Sequence, residues 1–356
     1  MGTGSANGNT GSMKQTLVSV MHGAGAFAPF RLLNRNKTLI LMYHRFNETP
    51  DGVSTSAQCF KEQLDYLSEH YRVVPLSELA RYLAAGQPVP PGLAVITIDD
   101  GYRDCYDIAF PILRECGLPA TAFVVTDFVD QTTWLWTDKV RYLTASASGS
   151  LLEATIEDQS LRIALEGQHS RLKGAERVNT QLKLISDEAK NDAISEISER
   201  LGVQIPNAPP QQYLPLTWEQ VRELDSSGVE IGSHTVTHPI LTRISVEKLR
   251  YELRESRARL EAVLGHKVKL LGYPNGDHNA AVQYEAARAG YNCAVTADYG
   301  LNNGRTNMLA LKRIHTEQNI AQFAKSTSGF EQFKNLVIHF AGGAALVIDQ
   351  STNSCL

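Results

Sequence analysis

Two short polar clusters, each placed just after an apolar run, carry residue types that suit metal-assisted hydrolysis. Asp99-Asp100-Gly101 follows Leu93-Ala94-Val95-Ile96-Thr97-Ile98, a run that no charge interrupts and that reads as a buried strand. Neighbouring carboxylates repel each other unless a cation or a proton relieves them. His234 and His238, in Ser233-His234-Thr235-Val236-Thr237-His238-Pro239, are four apart. On a helical turn that spacing puts both imidazoles on one side, where they can grip one metal. Chance alone gives such a histidine pair about 0.25 times and an Asp-Asp-Gly about 0.05 times in a chain of this composition. Alone, each is ordinary: an exposed turn, or surface and capping histidines. Together, each after a strand, they define a candidate site. Two histidines and one carboxylate leave coordination positions open for water, the pattern of a catalytic centre.

If one aspartate binds the metal, the other is free to act as base. A bound Zn²⁺ lowers the pKa of its water to about 7, and a neighbouring carboxylate can take the proton as that water attacks an acyl carbon. The developing oxyanion needs a backbone N–H beside the metal, and the tight turn Tyr273-Pro274-Asn275-Gly276 can supply it. An amine leaving group needs a proton from a general acid. His44, which also follows a strand, fits that task, and His315 competes with it.

These clusters need elements that bring distant sequence to one edge. Thr38–Tyr43, Leu93–Ile98, Thr121–Thr126, Val229–Gly232, Val268–Leu271, Cys293–Thr296 and Leu309–Ile314 read as strands. Helical spacing fills most intervals: Ser56–Tyr71, Leu76–Leu83, Cys105–Cys116 (interrupted by Pro111), Thr217–Ser226 behind a Thr N-cap, Ser245–Leu264 and Ala280–Ala289. Alternating strands and helices with short links predict a parallel α/β fold closed as a barrel, in which the carboxyl ends of the strands converge on one face. Residues 37–143 and 213–330 form this catalytic barrel. Residues 144–212, rich in Glu, Lys, Ser, Ala and Leu with apolar residues three to four apart, read as a helical insertion. Trp134 and Trp136 fit either a cleft lining or ordinary packing.

The remainder bounds the function class. Residues 1–12 are mostly Gly, Ser, Asn and Thr and read as a disordered leader. Residues 13–36 read as an N-terminal helix lying on the body or peripherally on a membrane, with His22 and several glycines breaking any secretory signal. Residues 331–356 form a C-terminal tail, where Leu336–Ile348 is too short to span a bilayer. The net charge of −4 lacks the basic excess of a nucleic-acid binder. Five cysteines without a C-x-x-C motif favour reduced thiols and a cytoplasmic, at most membrane-associated, protein over a secreted one.

Thr97-Ile98-Asp99-Asp100-Gly101 resembles the Thr-Phe-Asp-Asp-Gly motif of the polysaccharide deacetylases, the NodB-type carbohydrate esterases. Ser233-His234-Thr235-Val236-Thr237-His238 resembles their His-Ser/Thr-x-x-x-His variant, and Tyr43-His44-Arg45 resembles an early motif of the branch whose barrel is circularly rearranged. The resemblance spans roughly Thr38 to Ile314. It implies a distorted (β/α) barrel with fewer than eight regular strands. It also implies Asp99 as base, Asp100, His234 and His238 as ligands of one divalent metal (Zn²⁺ first, then Co²⁺, Ni²⁺ or Fe), and His44 as acid. The expected substrate is an N-acetylated amino sugar, glycan or lipid-linked saccharide. Two rivals are a same-fold amidohydrolase on a small cyclic amide or formyl group and a non-catalytic glycan-binding protein. The sequence departs from the family at its third motif: Gly272 stands where an Arg usually braces the base, and Asn275 replaces the usual Tyr. Arg313, placed on a later strand, is the candidate brace.

Overall fold

The structure, a computed structural model, describes residues 7–51 and 53–334. Leu336–Ile348 and most of the expected C-terminal tail lie outside the described residues. Helix α1 (Asn7–Gly23) already begins inside the stretch read as a leader, and α2 (Ala28–Leu33) follows it. Phe27, Phe30 and Val18 turn towards the body, with Phe27 and Phe30 edge-on to Phe330.

The first barrel strand is β1 (Leu39–Tyr43), all of it buried. A short parallel ladder of β2 (Phe46–Asn47) and β3 (Thr55–Ser56) leads into α3 (Ala57–His70), whose N-cap Ser56 accepts from the Cys59 N–H. Next come β4 (Arg72–Val73), α4 (Leu76–Ala84) and β5 (Leu93–Ile98). The segment after β5 opens with a wide π turn, Cys105–Ala109, before α5 (Phe110–Cys116). Pro111 has no N–H to donate back to the preceding turn, which fits a widened turn at that point. Then β6 (Ala120–Val124) runs into the short α6 (Thr126–Val129).

The insertion starts from α7 (Trp136–Ser146) and continues through β7 (Leu151–Ile156), β8 (Gln159–Ala164), α8 (Gly167–Leu182) and α9 (Asp187–Leu201). It is helical except for the antiparallel β7–β8 hairpin. Leu152, Ala154 and Ile156 are buried while Leu151, Glu153 and Thr155 are exposed, a period of two that the helical reading passed over. These residues join Val140, Leu143, Val178 and Ile194 in a core separate from the barrel's. Trp134 and Trp136 are buried packing residues: Trp136 joins this core with Lys190 4.8 Å over its ring, whereas Trp134 packs with Tyr102, Phe128 and Leu135 and donates to the Pro206 carbonyl at 3.1 Å.

The barrel resumes with α10 (Trp218–Ser226), β9 (Val229–Ser233), α11 (Val246–Leu264), β10 (Leu270–Gly272), α12 (Ala280–Ala289), β11 (Cys293–Tyr299), β12 (Leu311–His315) and α13 (Ile320–Thr327). Thr217 and Gln220 close a capping box at the start of α10. All pairings in the main sheet are parallel, in the order β1-β12-β11-β10-β9-β6-β5, and β5 returns to β1. Seven strands therefore close the barrel, with β4 pairing only the start of β5. Helices cover the outside, and every candidate cluster falls at the carboxyl ends of the strands, as in other α/β barrels.

Candidate active site

The β1–β5 register, ending at Tyr43 opposite Ile98, makes His44 and Asp99 the next neighbours at the barrel mouth. The Asp99 N–H donates to the Tyr43 carbonyl at 2.9 Å, and the Asp99 carboxylate turns inward, where Arg313 meets it. Arg313 is 1% exposed although it is a full-length cation, so its burial rests on its partners. Its Nη1 and Nη2 donate to the two Asp99 carboxylate oxygens at 2.7 Å each, a bidentate fork. Nη1 also donates to Thr97 Oγ1 (3.1 Å) and Nε to the Thr296 carbonyl (2.7 Å). Burial acts to raise the Asp99 pKa, but the Arg313 charge first, then His234 and the Arg313 hydrogen bonds, bring it below the usual carboxylate range.

Gly272 has no room for the brace that the family's third motif usually carries. A Cβ there would sit 2.9 Å from His234 Nδ1 and 2.9 Å from Phe123 Cγ. The guanidinium instead reaches Asp99 from β12, as its strand position suggested.

Asp100 faces the other way. Its φ of 76° and that of Gly101, 83°, make a left-handed corner that swings successive carboxylates apart. Asp100 Oδ1 lies 3.4 Å from His234 Nε2 and 3.4 Å from His238 Nε2, and ligand atoms of the three residues all lie within 4.8 Å of one another. His234 Nδ1 is 2.7 Å from the Gly272 carbonyl oxygen, which can only accept, so that nitrogen carries the hydrogen. The neutral ring then presents the Nε2 lone pair to a carboxylate oxygen. Lone pairs facing a carboxylate repel, so a cation or a proton must stand between them. The pKa directions agree. Burial lowers His234, but hydrogen bonding and charge from Asp100 and Asp99 leave it raised; Asp100, which burial alone would raise, is strongly lowered by the two histidines. Burial pushes His238 down to about 3, keeping it a neutral ligand at neutral pH. The donor set fits one divalent ion: two imidazole nitrogens, one carboxylate oxygen and an outer-shell carbonyl fixing one tautomer.

The histidine segment is not a regular helix turn. Thr235 (φ 72°) and His238 (φ 59°) are left-handed, as are Asp100 and Asn275 (φ 56°). Among the described residues, four of the six non-glycine residues with positive φ thus gather at this mouth, and such conformations cost of order 1–3 kcal/mol each. The surrounding hydrogen bonds must hold them.

His44 Nε2 lies 3.8 Å from Asp99 Oδ2, and its side chain is 35% exposed, the most open of the group. Its pKa is lowered, burial outweighing the pull of Asp99 and Asp100. His315 sits nearby at the end of β12, and burial drives it to about 4, so it is neutral at neutral pH. Asn275 occupies a left-handed corner before Gly276, where a Cβ would stand 2.2 Å from the Ala297 nitrogen. The Asn275 side-chain nitrogen is buried without a partner. Tyr273, expected with Asn275 at the oxyanion or substrate position, lies beneath that turn. Its hydroxyl donates to the Leu309 carbonyl at 2.9 Å, its N–H to Val295, and its ring is fully buried and stacked on His278. Its hydroxyl hydrogen and its N–H are thus both used within the fold, where they support the turn.

Residues 86–294, more than half of the chain, match the family model described as polysaccharide deacetylase. The chain belongs to the polysaccharide deacetylase family. That family hydrolyses N-acetyl groups on polysaccharides and is generally metal-dependent. The chain is 20% identical over 279 residues to the putative polysaccharide deacetylase YxkH of Bacillus subtilis, covering 78% of this chain and 71% of that one. It is 29% identical over 114 residues to the poly-β-1,6-N-acetyl-D-glucosamine N-deacetylase of Staphylococcus epidermidis, covering 28% of this chain and 39% of the relative. In three dimensions it resembles the Streptococcus pyogenes deacetylase PplD, with a TM-score of 0.56 and 20% identity over 82% of this chain and 98% of that one. This likeness shows the shared fold. Asp99, Asp100, His234, His238 and Asn275 fall inside the family match, whereas His44, Arg313 and His315 fall outside it.

One buried polar residue behind this deacetylase site carries no motif signal. Glu252, on α11, is 1% exposed and accepts the N–H groups of Val236 and Thr237 at 2.8 and 3.0 Å. Its position inside a charged helix hides it among surface glutamates in the sequence.

Proposed function

We propose that this protein removes N-acetyl groups from an amino sugar, glycan or lipid-linked saccharide, using one divalent ion, Zn²⁺ first, held by Asp100, His234 and His238. The observation that carries the reading is the convergence of those three donors beside an aspartate that a buried arginine keeps charged. A bound divalent ion there supplies Lewis acidity for the acetyl carbonyl and for water. Asp99, ionised by the Arg313 fork, takes the proton of the attacking water. The Asn275 turn offers a backbone N–H towards the developing oxyanion. His44, partly exposed at the barrel mouth and 3.8 Å from Asp99, delivers a proton to the departing amine nitrogen. His315, which burial lowers to about 4, remains the competing acid, but it is His44 that stands beside Asp99.

The name of the S. epidermidis relative supports N-acetylglucosamine units as the first substrate to try. The four described cysteines are free thiols, which supports a reducing, cytoplasmic setting and hence a precursor saccharide. A weak membrane contact through residues 13–36 is the outermost part of the proposal. Leu17, Val20, Leu32 and Leu33 are exposed there, and no helix among the described residues is long and apolar enough to cross a membrane. Co-sedimentation with anionic vesicles, with and without residues 1–36, tests that contact. The activity itself is tested by acetate release from N-acetylglucosamine oligomers with Zn²⁺, Co²⁺ or a chelator added. Release that the chelator abolishes and metal restores is expected; sugar binding without acetate from metal-loaded protein would contradict the proposal.

A further inference from the structure

The two histidine ligands are joined by a strained segment, and helix α11 holds that segment through Glu252 and the residue before His234 through Ser256, one turn on. Glu252 Oε2 accepts from the Val236 and Thr237 N–H groups at 2.8 and 3.0 Å, and Oε1 from Thr237 Oγ1 at 2.6 Å. Ser256 Oγ meets Ser233 Oγ at 2.8 Å, and Ser233 Oγ in turn accepts the Thr235 N–H at 3.2 Å. Thr235 Oγ1 accepts the His238 N–H at 3.2 Å, which closes the corner from inside. Every polar hydrogen of the Val236-Thr237 link is therefore bound to one buried carboxylate. Such a carboxylate fixes where His238 stands relative to His234, and so the gap into which an ion must fit.

The helix that carries Glu252 is tied to the insertion through Lys248. Lys248, one turn earlier on α11, donates to Asp187 Oδ2 at 2.6 Å, and Lys190 donates to Asp187 Oδ1 at 2.5 Å. Asp187 and Lys190 both lie on α9, and both are buried. Lys190 and Lys248 thus flank Asp187 beneath the histidine segment, and their charges act on Glu252 or on His238.

We propose that Glu252 is a positioning residue that sets the spacing of the two histidine ligands, and that the insertion fastens Glu252's helix through Asp187. The proposal rests on the metal-dependent reading above and extends it to a residue and a segment that no motif covers. The test is the Zn²⁺ dissociation constant, measured by competition with a chromophoric chelator on the full chain. Glu252→Leu keeps the bulk and removes all three acceptor contacts. Loss of such an outer partner costs about 10–100-fold in metal affinity. Glu252→Gln is the rescue. Its amide oxygen can take both N–H groups and its NH₂ can donate to Thr237 Oγ1, so affinity within a few-fold of the parent is expected. A role in stability alone would lower the melting temperature and leave the dissociation constant of the folded protein unchanged. If Glu252→Leu does not fold, Thr237→Val removes only the 2.6 Å contact and should weaken Zn²⁺ by about 10-fold, the lower end of that range. Parent-like affinity in folded Glu252→Leu, or in Thr237→Val if that stands in for it, overturns the inference while leaving the metal site intact. A parent protein that binds none of Zn²⁺, Co²⁺, Ni²⁺ and Fe²⁺ overturns both.

Discussion

Replacing Arg313 by Met is the perturbation whose size the structure sets most directly. The change removes a buried guanidinium that is 1% exposed and leaves Asp99, 2% exposed, without its fork of two 2.7 Å hydrogen bonds. Breaking one side of such a buried pair costs about 3–5 kcal/mol, because the remaining charge stays out of water. At about 2–4 °C per kcal/mol for a large domain, the melting temperature should fall by roughly 6–20 °C. The pH dependence fixes the sign. In the parent, the Asp99 pKa is depressed, so its contribution to stability is present above the unfolded carboxylate value and is lost as pH falls through the native one. In the variant, burial acts without the opposing charge, and the Asp99 pKa moves up. The stability gap between parent and variant should therefore be widest at neutral pH and close in acid. The acid limb of kcat/KM for acetate release should shift to higher pH, since Asp99 works as base only when ionised. Thermal melts and acetate-release profiles across pH check both. An unchanged melt and an unmoved acid limb would refute the claim that Arg313 keeps Asp99 charged.

Three other substitutions separate the proposed roles. Asp99→Asn should lower turnover by about 10²–10⁴-fold while elemental analysis still finds the metal, because the variant removes a base and not a ligand. His44→Gln should lower kcat with metal content intact, and His315→Gln should lose far less, since His44 is the histidine that stands 3.8 Å from Asp99. Gly276→Ala forces a Cβ to within 2.2 Å of the Ala297 nitrogen at φ 77°, so the Asn275 turn must move. A soluble protein with reduced kcat and unchanged metal content is expected, checked by steady-state assay beside elemental analysis.

Much of the barrel could be read from the chain because its strands are buried on both faces. Leu93–Ile98 and Leu39–Tyr43 are continuous apolar runs bounded by turn residues, and that pattern survives without an alignment. The placement of Arg313 after β11 and on β12 was enough to suggest a brace, since strand ends converge. The orientation of side chains was not so legible. Tyr273 sits in the right loop, yet its hydroxyl turns to Leu309, a choice made by packing around His278 that spacing does not record. The β7–β8 hairpin was hidden because alternating residues such as Leu152, Ala154 and Ile156 also fit loose helical spacing over so short a run. Glu252 was invisible for another reason: local sequence marks α11 as a charged helix, and only the fold shows that this glutamate faces inward.

The most direct measurement is the divalent metal content of purified protein by elemental analysis, beside the His234→Ala/His238→Ala double variant. The structure brings Asp100 and both histidines to one point, so about one ion per chain is expected in the parent and none in the variant. No bound ion in the parent, even after incubation with Zn²⁺, Co²⁺, Ni²⁺ and Fe²⁺ in turn, would contradict the metal-dependent deacetylase reading.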